Sequence, residues 1–263
     1  MAITLSSGRT VLAFDTIDST NAEAHRRADG TRVCEPLWIV AAAQTQGRGR
    51  YGRMWESARG NLFATLLLPG PLPLQRAGQL SLVAGVAAAD TIGRMVPKGR
   101  IAIKWPNDVL IGGRKVAGIL LETCKTSDGN VDALALGIGI NVVSHPDGTD
   151  TPATDLSEHA AGELTNAEVI LDDLDGTFFR WLRLWSADGF QPIREAWLRY
   201  AWGKGEALLV RLPSETFEGV FDGLSPDGEL VLRMKSGKVR RIAAADVYYR
   251  EPSRERKPHA PGR

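Results

Sequence analysis

Apolar runs of strand length punctuate the first two-thirds of the chain, separated by polar or glycine-rich connections. Residues 10–14 (TVLAF) form a short apolar strand, and 37–43 (LWIVAAA) is continuously apolar, as expected of a strand buried on both faces. Residues 61–68 read as a further strand closed by PGPLP at 69–73. A short strand at 100–104 follows, and strands at 109–111 and 116–122 are joined through Gly112-Gly113, a hairpin signal. Residues 133–143 form another strand, and 144–152 (SHPDGTDTP) form a polar loop.

Helical stretches lie between these runs. A polar helix runs from about Ser19 to Ala28, with Ser19 or Thr20 as N-cap and Glu23 as capping-box partner. Residues 79–95 are apolar on most faces and predict a largely buried helix. Residues 155–162, 166–186 and 191–201 also read as helical. After Gly203 the period changes to short strands at 207–211, 218–224, 229–233 and 240–243, with Asp227-Gly228 as a tight-turn signal. This spacing predicts a small β-barrel over 204–250 behind a larger domain over 1–203, and residues 251–263 read as a disordered tail. Hairpins outnumber strict strand–helix alternation. The fold class expected is therefore α+β, with a mixed, mostly antiparallel sheet.

Composition narrows the functions. Charges nearly cancel, with 32 basic against 31 acidic residues, so no global basic field for nucleic acid exists and phosphate binding must be local. The start of the chain shows no basic-then-apolar leader, and no stretch reaches the ~20 apolar residues of a membrane span. Two isolated cysteines, Cys34 and Cys124, point to a reducing compartment and hence the cytoplasm. The histidines at 25, 145, 159 and 259 show no ligand spacing, so no protein-bound metal site is expected.

Four segments carry candidate chemistry. In QTQGRGRYGR at 44–53, glycines let backbone N–H groups converge on an anion while Arg48 and Arg50 add bidentate donors. A basic surface loop is the plainer alternative. Lys104-Trp-Pro-Asn-Asp108 gathers functional side chains at a strand end, or forms a Pro-Asn-Asp turn with Trp105 as core filler. In KVAGIL, Lys115 opens an apolar strand, where desolvation strengthens its pull on anions, though a lysine there is ordinarily a surface residue. GIGIN at 137–141 begins like a dinucleotide fingerprint, but Val142 stands where Gly or Ala is needed and no helix follows. No GxxxxGK[ST] loop, GxSxG elbow or poised Cys/His pair occurs.

Together with Ser19-Thr-Asn21, these segments, in this order, resemble the catalytic domain of biotin–protein ligases over roughly residues 10–200. The C-terminal barrel is similar to the SH3-like domain of that family. The resemblance implies a catalytic domain like those of class II aminoacyl-tRNA synthetases and biotin ligases. It places Ser19, Thr20, Asn21 and Gln44 at the ureido end of a biotin pocket. Arg48, Gly49 and Arg50 become the loop that closes over biotin and the phosphates. Lys115 contacts the biotin carboxylate and the α-phosphate, with Arg50, Trp55, Asn107 and Asn141 also on the nucleotide side. Residues 144–152 would form a second flap. Gln46 departs from the small residue common in the family.

The implied reaction uses ATP with Mg²⁺ and biotin as substrate, with Lys115, Arg48 and Arg50 screening the anions. Asp108 would orient or deprotonate the acceptor amine, with Glu122 in reserve. The implied partner is the biotin carboxyl carrier domain of a carboxylase, docked at the sheet edge, with the ligase a monomer or weak homodimer and without a DNA-binding domain or membrane contact. The alternatives are a lipoate–protein ligase and a non-catalytic binder of biotin or RNA.

Overall fold

The computed structural model describes residues 2–30, 32–96, 100–149, 151–160, 166–212, 214–243 and 245–249, so the tail expected at 251–263 lies outside the described residues. The chain divides into two compact units, Met1–Trp202 with Pro226–Gly228, and Gly203–Ser225 with Glu229–Arg263.

In the first unit the elements run β1 (Ala2–Thr4), β2 (Thr10–Ile17), α1 (Thr20–Gly30), β3 (Leu37–Gln44), β4 (Leu62–Pro73), α2 (Leu74–Ala77), α3 (Gln79–Met95), β5 (Ile101–Lys104), β6 (Asp108–Ile111), β7 (Arg114–Ser127), β8 (Asn130–Ile140), α4 (Ala167–Asp188) and α5 (Gln191–Tyr200). The strands form one eight-stranded sheet in the order β1-β2-β3-β4-β8-β7-β6-β5. β2 and β3 are parallel, and every other neighbouring pair is antiparallel. The mixed, mostly antiparallel α+β architecture read from the sequence is the one observed.

Strand β8 reads ALALGIGI over residues 133–140, and this alternation sorts the two faces of the sheet. Ala133 and Ala135 pack with Ala24 and Ala28 of α1, together with Ile39 and Leu67. Gly137 and Gly139 continue the same face. The alternate residues Leu134, Leu136, Ile138 and Ile140 are buried on the other side. Ile119 of β7 faces Gly85 of α3 there, at 3.7 Å from the position a Cβ would take. Small residues thus leave room on the α1 face, and large ones fill the face covered by α3. Asp90 of α3 ties the helices together by accepting hydrogen bonds from Trp181 Nε1 and Tyr200 Oη at 2.8 Å and from Arg180 at 3.0 Å. Burial, then the bond to Asp90, pushes the Tyr200 phenol up to about 12.

Three expectations are corrected. β4 does not stop at Leu68 but runs through the prolines to Pro73. Beyond Leu67 it borders β8 alone, so the proline nitrogens leave no ladder bond unmade on the β3 side. Residues 155–160 form a turn rather than a helix, because the Leu156 and Ser157 amides donate back to Asn141 and Val142. At α1, Ser19 is the N-cap and accepts from Ala22 N. Glu23 turns instead to Arg26 and Arg27 at 2.8 and 2.9 Å, while Ser19 N donates to Asp18 Oδ1. The short strand β1 had no apolar run to announce it.

The second unit is a five-stranded sheet, antiparallel at each pairing, of β9 (Ala207–Arg211), β10 (Thr216–Leu224), β11 (Leu230–Arg233), β12 (Val239–Ile242) and β13 (Asp246–Tyr249), in the order β12-β11-β10-β9-β13. It has the SH3-like character expected, with β13 as a strand the sequence reading omitted.

Candidate active site

Glycines make the floor. Gly118 of β7 and Gly139 of β8 are register partners. A Cβ on Gly118 would stand 2.8 Å from the indole of Trp55, and one on Gly139 would stand 2.6 Å from it. The indole therefore lies against bare backbone, a contact that only glycine at both positions allows. Two residues along β8, a Cβ on Gly137 would reach 2.4 Å from Asn21 Oδ1. Gly137 and Gly139 form a strip without side chains, on which Asn21 and Trp55 lie directly against the backbone.

A buried polar web sits at the Asn21 end. Ser19, Thr20 and Asn21 at the start of α1 are all buried, as is Thr65 in the middle of β4. Thr20 donates to Gln44 Oε1 from its backbone N at 2.8 Å and from its hydroxyl at 3.1 Å. Thr65 Oγ1 lies 2.6 Å from Asn21 Oδ1 and 2.8 Å from Thr20 Oγ1, and its single proton serves one of them at a time. Gln44 Nε2 donates to Ser57 Oγ at 3.1 Å. Asn21 Nδ2 donates to Glu122 at 2.8 Å. The web joins three of the four residues expected at a head-group pocket, Thr20, Asn21 and Gln44, while the Ser19 hydroxyl caps α1. It adds Thr65, Ser57 and Glu122.

Lys115 occupies the other end. Its Nζ lies 2.6 Å from Asp108 Oδ1 and 5.2 Å from the centre of the Trp55 ring. Asp108 Oδ1 and Trp55 Nε1 are buried and without a hydrogen bond, so the Lys115–Asp108 contact is an ion pair off hydrogen-bond geometry. The unmatched buried indole N–H of Trp55, beside a half-buried ammonium, suits a polar ligand. The two asparagines expected near nucleotide have their amide nitrogens on backbone. Asn107 Nδ2 donates to Ile119 O at 2.8 Å. Asn141 Nδ2 donates to Thr154 O at 3.0 Å, fastening residues 151–156 beside Lys115, whose own N and O bond Pro152 O and Thr154 N.

The Gly/Arg segment is a small hairpin. Trp55 N donates to Gly47 O, Gly49 N donates to Arg53 O, and Arg48 bridges Met54. Tyr51 at φ 56° and Gly52 at φ 72° make the reversal. Gly47 is required, since a Cβ would meet Trp55 O at 2.6 Å. Arg48 reaches Glu122 on the site face of β7 at 3.2 Å. Arg50 lies at the tip, donating to Tyr51 Oη at 3.1 Å. The hairpin stem and Lys115 therefore meet at Trp55.

Folding also collects His145, Asp155 and Glu158, which linear spacing does not reveal. Nδ1 of His145 is 2.7 Å from Asp155 and Nε2 is 3.6 Å from Glu158, which also pairs with Arg114 at 2.7 Å. Each ring nitrogen faces a different carboxylate, so the imidazole links Asp155 to Glu158. Burial raises Asp155, but hydrogen bonds from Ser157 and His145 outweigh it and hold the carboxyl below its usual range.

The chain is similar to known proteins along most of its length. The model of the Biotin/lipoate A/B protein ligase family matches residues 13–141, and that of the Biotin protein ligase C terminal domain matches 205–250. A biotin–[acetyl-CoA-carboxylase] ligase of Paracoccus denitrificans is 42% identical over 237 residues, spanning 88% of this chain and 97% of that one. A biotin protein ligase from Aquifex aeolicus, solved in complex with biotin and ATP, is similar with a TM-score of 0.77 at 27% identity, over 91% of this chain and 98% of that one. A biotin protein ligase from Leishmania major, in complex with biotinyl-5-AMP, gives a TM-score of 0.66 at 26% identity, over 89% and 98%. Matched along nearly its whole length by a relative at this identity, the chain belongs to the biotin protein ligase family.

Proposed function

We propose that this chain is an ATP-dependent biotin–protein ligase that forms biotinyl-5′-AMP with release of pyrophosphate and passes the biotinyl group to a lysine of a biotin carboxyl carrier domain. The observation that carries this reading is the glycine strip. It joins a buried hydrogen-bonding pocket at Asn21 to a half-buried ammonium at Lys115, with Trp55 between them. Gly137 and Gly139 are two strand residues apart, about 7 Å. This suits an extended acyl chain with a polar head at one end and a carboxylate at the other.

In the first step a biotin carboxylate oxygen attacks the α-phosphorus, the Pα–O–Pβ bond breaks and pyrophosphate leaves. The barrier is chiefly repulsion between two anions. Lys115, with Arg48 and Arg50 on the hairpin, supplies fixed positive charge and alignment rather than proton transfer. Mg²⁺ brought in with ATP would neutralise phosphate charge, and Asp108 is the carboxylate that would help hold it. Gly49 lets the hairpin backbone close on the ligand, while Asn107 and Asn141 hold β7 and residues 151–156 on the nucleotide side. In the second step the acceptor amine attacks the acyl carbon, the acyl–phosphate C–O bond breaks and AMP departs. A lysine with pKa ~10.4 must lose a proton first, and Asp108 is the acceptor.

The buried polar web also discriminates the head group. Thr20, Asn21, Gln44 and Thr65 suit a ureido ring. An apolar dithiolane, as in lipoate, would offer this web no hydrogen-bonding group to exchange with. Cys34 and Cys124 are free thiols, and no helix among the described residues is long and apolar enough to cross a membrane. We place the enzyme in the cytoplasm, as a monomer or weak homodimer.

The test is biotin-dependent exchange of labelled pyrophosphate into ATP, with lipoate as control, followed by labelling of a carrier domain. Exchange with biotin alone supports the reading. Exchange with lipoate alone, or none, contradicts it.

A further inference from the structure

We infer that Glu122 is a positioning residue that fixes the amide of Asn21 in the head-group pocket and tethers Arg48 of the Gly/Arg hairpin, so that one carboxylate links pocket and lid. Its Oε2 accepts from Asn21 Nδ2 at 2.8 Å and lies 3.2 Å from Arg48 NH2. His25 Nε2 of α1 lies 3.6 Å from the same oxygen. Donors from α1 and from the hairpin thus converge on a single atom of β7.

The chemistry of a carboxylate makes this arrangement directional. An ionised Glu only accepts, so it turns the NH2 end of the Asn21 amide toward itself. Asn21 Oδ1 is then presented to Thr65 Oγ1, 2.6 Å away, and to the strip at Gly137. The opposite orientation would bring the amide oxygen against the carboxylate. Leu120 O, 3.4 Å from the same Nδ2, favours the same orientation more weakly. The Arg48 contact has the opposite character. Both side chains are partly exposed, at 40% and 27%, so the pair is a weak, breakable tether. Weakness is what a lid needs, since it must open for substrate entry and for release of product to the acceptor. Glu122 therefore contributes a fixed hydrogen bond on the pocket side and a releasable ion pair on the lid side.

The inference rests on the biotin ligase reading, and two substitutions separate its parts. Glu122→Ala removes both contacts. It should raise the KM for biotin about tenfold, leave the KM for ATP within about twofold and speed escape of biotinyl-AMP from the enzyme. Glu122→Gln keeps an acceptor for Asn21 but carries no charge for Arg48. It should restore the KM for biotin to within about threefold of wild type while escape stays fast. Arg48→Ala in the Glu122→Gln background should add no further escape. An unchanged KM for biotin in Glu122→Ala overturns the pocket role. Parallel loss of both KM values and of thermal stability, with no separation between Ala and Gln, reduces Glu122 to packing and also overturns the inference. If Arg48→Ala alone leaves escape unchanged, the lid reading of the hairpin fails, and the Arg48 half of the inference fails with it.

Discussion

Lys115 Nζ lies 2.6 Å from Asp108 Oδ1, yet that buried oxygen takes part in no hydrogen bond. At this distance the two charges are in direct contact, with the angles off hydrogen-bond geometry. Such a pair keeps an ammonium oriented while its protons stay available to an anion arriving from the Trp55 side.

Asp108→Asn separates proton acceptance in the second step from the carboxylate's part in the first. The substituted side chain keeps the shape and loses both the charge and the proton acceptor. Adenylate formation should fall modestly, by less than about tenfold, and transfer from preformed biotinyl-AMP to a carrier lysine by about 10²-fold. Single-turnover measurement of each step checks this. Loss confined to adenylate formation would leave Asp108 as a holder of Lys115 and remove its role as proton acceptor.

Gly139→Ala tests the floor. The added Cβ would stand 2.6 Å from the Trp55 indole, so the ring must move away from Gly118 and Lys115. The affected surface is the substrate strip, and alanine suits a strand interior at least as well as glycine. The KM for biotin should rise by roughly tenfold or more while the melting temperature changes by no more than about 3 °C. An unaltered KM would show that Trp55 is not held in the working position by this contact.

Asp18 offers a pH test of the helix that carries the head-group pocket. Its carboxylate pairs with Arg26 through two contacts of 2.8 Å and accepts from Ser19 N. The Arg26 guanidinium is the main reason its pKa falls from 3.8 to about 2, with burial opposing. Because the folded pKa lies below the unfolded one, the stabilisation is complete above 3.8 and is lost as pH falls toward about 2. The pair is substantially exposed, so its contribution is under about 1 kcal/mol and shrinks in high salt. Asp18→Asn keeps the acceptor for Ser19 N. The wild-type advantage in unfolding midpoint should hold at neutral pH and vanish across that acid window. An advantage that persists at pH 2 would assign it to something other than this charge.

Some of this site was legible in the sequence and some was not, for identifiable reasons. Ser19, Thr20, Asn21, Gln44, Arg48 and Lys115 stand in short motifs, so their residue types announced them before any fold was known. Trp105, read either as functional or as core, is buried and is core. GIGIN was weighed as an incomplete dinucleotide fingerprint, while its informative feature was the small–large alternation of ALALGIGI, which marks one face of β8 as open. Thr65 belongs to no motif, and Glu122, at the end of the segment that Lys115 opens, is read from the sequence only as a reserve for the acceptor amine. They contact Asn21 from 44 and 101 residues away, a proximity that only the sheet order β4-β8-β7 creates. Thr65 did leave one signal, a lone hydroxyl in the middle of the run LFATLLL. Residues 155–160 misled because their polar spacing fits a helix start. The backbone partners that win, Asn141 and Val142, lie at the end of another strand.

The most direct test concerns Lys115 itself. Mass spectrometry of a single-turnover mixture of enzyme, ATP, Mg²⁺ and biotin reads the adenylate without any carrier protein. The wild-type chain should accumulate biotinyl-5′-AMP with one pyrophosphate released per adenylate. Lys115→Ala should form it about 10³-fold more slowly, with a circular dichroism spectrum and melting temperature close to wild type. A folded Lys115→Ala protein that makes the adenylate at near-normal rate would contradict the account.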